Sequence, residues 1–186
     1  MKDMYYTMNI AGLERHLPLC PISDALMIGA FVIFGDPELT TACAKELLQR
    51  CPDYDVLITA ESKGIPLICE MARLAGNQRY VLARKAPKLY MKNVFTAEVN
   101  SITTDHKQIL CLDGKDAEYM RGKRVVIVDD VISTGESLHA LETLVTQAGG
   151  EIVGRMAILA EGEAVARDDI IYLEKLPLFD IEGNPC

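Results

Sequence analysis

From residue 38 onward the apolar positions of this chain fall into two alternating rhythms. In "PELTTACAKELLQRC" Leu39, Ala42, Cys43, Leu47 and Leu48 recur at helical spacing and can share one face. "DVLITA", 55–60, is a continuous apolar run with β-branched residues, the mark of a strand covered on both faces. "IPLICEMARLAG", 65–76, returns to the helical period and stops at a glycine, and "RYVLARK", 79–85, reads as the next strand. "KRVVIVDD", "ESLHALETLVTQAGG" and "EIVGRMAILAEG", 151–162, repeat strand, helix, strand, and "IIYLEKLPLF" adds a last apolar segment. Strands alternating with helices predict an α/β fold with a doubly wound, mainly parallel sheet. Two stretches break the rhythm. Residues 90–114, "YMKNVFTAEVNSITTDHKQILCLDG", alternate weakly around a polar centre and predict a β-hairpin or a mobile excursion. Residues 1–37 mix proline-bounded apolar pieces and are expected to form a small N-terminal hood over the sheet edge, with the α/β core taking residues 38–186.

In an open parallel sheet, ligands bind beyond the carboxyl ends of the strands. Three loops fall there: 60–64, 84–90 and 129–137. In the last, Val125 to Val128 run straight into Asp129 and Asp130, and Ser133, Thr134, Gly135, Glu136 and Ser137 then lead into a helix. Free N–H groups and the helix dipole at such a point favour an anion, hydroxyls add donors, and a glycine lets the backbone approach closely. Two carboxylates would repel a lone phosphate. They make sense beside one if the ligand carries both a phosphate and vicinal hydroxyls, as a ribose 5-phosphate does: the acids accept from the 2- and 3-hydroxyls while the amides hold the phosphate. A strand end followed by an ordinary capped helix uses the same residue types. Neither G-x-x-x-x-G-K-[ST] nor G-x-G-x-x-G occurs, which excludes the P-loop and dinucleotide fingerprints.

Composition narrows the partners. A formal net charge of −8 argues against a basic nucleic-acid face, yet Arg84, Lys85 and Lys88 cluster in "ARKAPKLY". A solvated basic loop would look the same. No apolar run reaches membrane-spanning length, and "MKDMYYTMNI" lacks the pattern of a signal peptide. The six cysteines include no C-x-x-C pair and no zinc-finger spacing, which points to reduced, structural thiols and a cytoplasmic setting. His16, His106 and His139 are scattered and suggest no metal site.

"VVIVDDVISTGES" closely resembles the phosphoribosyl pyrophosphate (PRPP) motif of type I phosphoribosyltransferases. The resemblance implies that Asp129 and Asp130 hold the ribose hydroxyls and that Ser133 through Ser137 surround the 5-phosphate. Glu136 stands where many members carry glycine, so its side chain must point away. Glu61-Ser62-Lys63-Gly64 resembles the acid-Ser-Arg-Gly pyrophosphate loop of adenine phosphoribosyltransferases, with lysine in place of arginine. Arg84, Lys85 and Lys88 resemble the R-K-x-x-K segment of the adenine and orotate enzymes, which reaches a neighbouring subunit's PRPP. The likeness spans roughly residues 38–162. It implies transfer of a 5-phosphoribosyl group from PRPP to a purine base in purine salvage, magnesium carried by PRPP, and a homodimer. The 90–114 excursion would be the lid, with Glu98 a candidate for acid–base work. A small residue at Ser133, and no lysine soon after "AILAEG", favour the adenine type over the hypoxanthine-guanine type. "EVNSITTDHKQILCL" is similar to xanthine phosphoribosyltransferases and to the PRPP-binding purine repressor, which leaves a xanthine-type enzyme or a non-catalytic PRPP regulator as alternatives.

Overall fold

The computed structural model describes residues 4–99 and 108–186. Its centre is a five-stranded, all-parallel sheet made of β4 (Val56–Ala60), β5 (Val81–Ala83), β8 (Arg124–Ile132), β9 (Glu151–Glu161) and β10 (Ile171–Leu176), in the order β10-β9-β8-β4-β5. β4 is the first strand of this sheet, and the chain winds outward from it in both directions. The strand order therefore reverses between β4 and β8, and the loops following these two strands flank that switch point.

Each apolar run feeds both faces, as a strand covered on two sides must. Val56, Ile58, Val125 and Ile127 pack under α4 (Glu136–Ala148) and α3 (Gly114–Met120). Leu57, Val126 and Val128 pack on the other face, with α1 (Pro37–Arg50) and α2 (Gly64–Ala75). α1 starts where Asp36 accepts from the Leu39 N–H at 3.0 Å, with Pro37 at its first position. α2 stops at Gly76, left-handed at φ 74°.

The segment 90–114 contains the predicted hairpin: β6 (Phe95–Val99) pairs antiparallel with β7 (Gln108–Leu112). Its polar centre lies outside the described residues. The N-terminal strands β1 (Tyr5–Ile10), β2 (Leu13–Pro21) and β3 (Met27–Gly29) join β11 (Leu178–Phe179) in a separate antiparallel sheet. Met8, Ile10, Leu17, Phe31 and Ile33 bury this hood against the α1–α2 face. Arg15 on β2 also clamps Asp36 at the start of α1, 2.6 Å Nε to Oδ2. Phe179 is fully buried, its ring 4.8 Å from that of Tyr6.

Candidate active site

β4 and β8 lie side by side in parallel register, Val56 opposite Val125 and Ile58 opposite Ile127. Their carboxyl ends therefore bring the 60–64 loop against the two aspartates. Between them opens a cavity of about 230 Å³, lined by Glu61, Ser62, Lys63, Lys85, Asp129, Asp130 and Ser137, with Val99 and Gln108–Leu110 of the hairpin forming a further wall. Residues of all three loops picked out in the sequence meet at this one cavity.

Asp130 is 4% exposed. Its Oδ2 lies 2.8 Å from the Lys63 ammonium, but off the line of a hydrogen bond, so that this buried oxygen accepts none. Asp129 Oδ1 turns back to accept the Asp130 N–H at 2.9 Å. Burial, and then the adjacent Asp130 carboxylate, push the Asp129 carboxyl well above the usual carboxylate range, against the pull of Lys63.

Glu61 lines the cavity, but its carboxylate is engaged by the 84–90 loop. It accepts the Lys85 N–H at 3.0 Å and lies 3.2 Å from Arg84 Nε, and these contacts hold its carboxyl below the usual range, the Lys85 N–H foremost. The acid of the 60–64 loop thus fastens the basic 84–90 loop in place. Arg84 is further tied through its backbone to Cys111 on β7, by hydrogen bonds of 2.8 and 2.7 Å, and donates to the Tyr90 hydroxyl at 3.1 Å. Lys85 reaches the cavity, whereas Lys88 does not line it. Gly64 begins α2 in close contact with β4: a Cβ there would stand 2.2 Å from Thr59 Oγ1.

The 133–137 segment forms the entry to α4. Gly135 is the residue before the helix, left-handed at φ 80°, and no side chain caps the helix start. The first-turn N–H groups are thus left for another acceptor. Glu136 opens the helix and does not line the cavity. Glu98 sits on β6 one residue before Val99; it is exposed and does not line the cavity.

Several neighbours were not legible in the sequence. Arg167 brings Nη1 within 3.2 Å of where a Gly135 Cβ would stand, while its Nε and Nη2 grip Asp169 at 2.9 and 2.8 Å. Glu161, at the end of β9, is half-buried, and burial raises its carboxyl above the usual range. The Phe31 carbonyl lies 3.5 Å from Lys63 Nζ. Nothing in the local pattern of "EGEAVARDD" or "GAFVIF" signals these approaches, which come from tertiary packing alone.

The phosphoribosyl transferase domain matches residues 38–181. The chain belongs to the phosphoribosyltransferase family. It is similar to the adenine phosphoribosyltransferase of Cenarchaeum symbiosum, 30% identical over 165 residues that make up 88% of this chain and 94% of the relative. It is also similar to the hypoxanthine/guanine phosphoribosyltransferase of Methanococcus maripaludis, 31% identical over 150 residues, 80% of this chain and 74% of that one. Among solved structures, the adenine phosphoribosyltransferase of Rhodothermus marinus superposes with a TM-score of 0.66 over 92% of this chain and 94% of that one, at 22% identity, and so shares the phosphoribosyltransferase fold. Among the described residues no helix is long and apolar enough to cross a membrane.

Proposed function

We propose that this phosphoribosyltransferase moves the 5-phosphoribosyl group of PRPP onto a purine base, adenine foremost, and releases pyrophosphate. The observation that carries the reading is the cavity at the β4–β8 switch point. It gathers an acid pair, Asp129 and Asp130, and two cations, Lys63 and Lys85, around one space, with Lys63 paired to Asp130. A ligand with a diol at one place and a diphosphate at another matches that polarity.

In this reading the two aspartates accept from the ribose hydroxyls, and the uncapped start of α4 holds the 5-phosphate. As the bond from ribose C1 to pyrophosphate breaks, positive charge grows on the sugar beside Asp129 and Asp130. Negative charge grows on the leaving group beside Lys63 and Lys85. Both charges develop next to opposite charges, which stabilises the transition state more than the bound substrate. The apolar hairpin wall around Val99, Ile109 and Leu110 limits water, which would otherwise hydrolyse the sugar.

Magnesium fits the residues present. Asp129 and Asp130 offer oxygen donors only, and the buried Asp130 Oδ2 accepts no hydrogen bond. Among the described residues no group of three His, Cys, Asp or Glu could hold an ion alone, so substrate oxygens would complete its shell. Asp129 and Asp130 are the residues that would hold it, and when bound it would neutralise charge on the departing diphosphate.

The same reading includes a homodimer, with the Arg84–Lys88 loop serving across the interface, and a cytoplasmic setting, consistent with six unpaired cysteines. The adenine preference is supported by the small Ser133 and by the C. symbiosum relative. The test is release of pyrophosphate from PRPP with magnesium and each of adenine, hypoxanthine, guanine and xanthine in turn. Turnover with adenine is expected. Turnover with xanthine alone would move the protein to the xanthine type. PRPP binding without turnover on any base would make it a regulator.

A further inference from the structure

Lys63 belongs, by its loop, to the pyrophosphate side of the cavity. Its ammonium is instead lodged on the sugar side, 2.8 Å from Asp130 Oδ2 and 3.5 Å from the Phe31 carbonyl. The Asp129 and Glu61 carboxylates line the same cavity. One monovalent cation thus faces a concentration of negative charge that a divalent ion could also satisfy.

The two partners differ in freedom. Asp130 is fixed in β8 and its side chain is 6% exposed, whereas the Lys63 side chain is 44% exposed. The next residue, Gly64, is packed against Thr59 at the start of α2. The four-carbon stem of the lysine, however, can swing a compact charge over several ångströms. The contact can be exchanged for another partner: a lysine lacks the two-pronged grip by which an arginine would lock onto a carboxylate.

We propose that Lys63 is a resident counter-cation: without substrate it neutralises the acid pair and keeps free divalent ions out, and when metal arrives with PRPP it leaves Asp130 for the diphosphate. The idea rests on the PRPP reading of this pocket. It gives the lysine in place of arginine a reason, since the side chain must serve two places in turn. It also gives the order of events: metal enters with PRPP and not before it, because an ion approaching alone meets an ammonium already seated.

The test uses manganese as the probe, added to the full-length protein without PRPP and followed by electron paramagnetic resonance. Wild type is expected to bind little. Lys63→Gln should gain affinity roughly tenfold or more, and Asp130→Asn on that background should erase the gain. Lys63→Arg, which keeps a cation there, should remain as silent as wild type. Equal manganese binding by wild type and Lys63→Gln would overturn the proposal. Inorganic pyrophosphate, titrated by calorimetry, should bind Lys63→Gln roughly tenfold more weakly, and unchanged binding would overturn the transfer. If Lys63→Gln loses its fold by circular dichroism, lysine-ammonium NMR on wild type decides. The Lys63 signal should move on adding PRPP with magnesium and stay put with magnesium alone; movement with magnesium alone would overturn the idea. PRPP titration of wild type separates the two readings: absence of PRPP binding with the manganese pattern intact sinks the substrate assignment and not the counter-cation.

Discussion

Gly64 and Thr59 touch where the 60–64 loop turns into α2. A methyl group at position 64 would stand 2.2 Å from Thr59 Oγ1 and 3.3 Å from Asp129 Oδ1. Gly64→Ala is therefore expected to lower stability by about 1–3 kcal/mol and to displace Lys63, with a raised KM for PRPP. Thr59→Ala removes the colliding oxygen and should restore much of the stability in the double variant. Thermal denaturation of the four proteins in the cycle measures this; additive losses would show that the contact is not the cause. At this scale the sequence was partly legible. Asp129 and Asp130 stand out because two adjacent acids at the end of a buried run conflict with the apolar pattern around them. The ion pair between Lys63 and Asp130 and the approach of Arg167 to Gly135 do not, because each joins segments far apart in the chain, and no local period reports on such a meeting.

Among elements, β4 and β8 carry the site and are fastened to each other at their starting ends. Asp55, just before β4, accepts from the Arg124 backbone N–H at 2.9 Å and from its guanidinium at 3.0 and 3.2 Å. The Arg124 guanidinium, and then its backbone N–H, hold the Asp55 carboxyl down at about 2. A carboxyl depressed in the folded state contributes stability that is full above its ordinary value of 3.8 and lost as pH falls through about 2. Asp55→Asn should therefore melt below wild type at neutral pH, with the gap closing between roughly pH 4 and 2; a gap that persists at the acid end would assign the effect to packing. The strands and longer helices were readable because each spans enough residues for its period to register. α3, Gly114–Met120, was missed: seven residues make barely two turns, and its start depends on Asp113 accepting from the Lys115 N–H. β11 was read only as an apolar tail, since a strand of two residues has no alternation to detect and is defined by its distant partner β3.

For the molecule as a whole, the charge is unevenly used. A chain of net charge −8 places Arg84, Lys85 and Lys88 on one loop and follows them with Leu89 and Tyr90, both exposed. Apolar side chains set out beside a cationic loop suit a contact with a second copy, which is where the proposed dimer would put them. Sedimentation is expected to find a dimer, and Leu89→Asp with Tyr90→Asp to shift it toward monomer with a fall in kcat/KM. A wild-type monomer with full activity would remove the cross-subunit role of this loop.

The pairing of β3 with β11 has a consequence for how the protein is made. Leu178 and Phe179 leave the ribosome long after Met27–Gly29. Until they arrive, one side of β3 has no strand partner, while β4, β5, β8 and β9 of the parallel sheet are already made and β10 follows just ahead of β11. The hood is thus the last layer completed, and during that wait β3 is the edge at which a stalled or truncated chain would exchange strands with another copy.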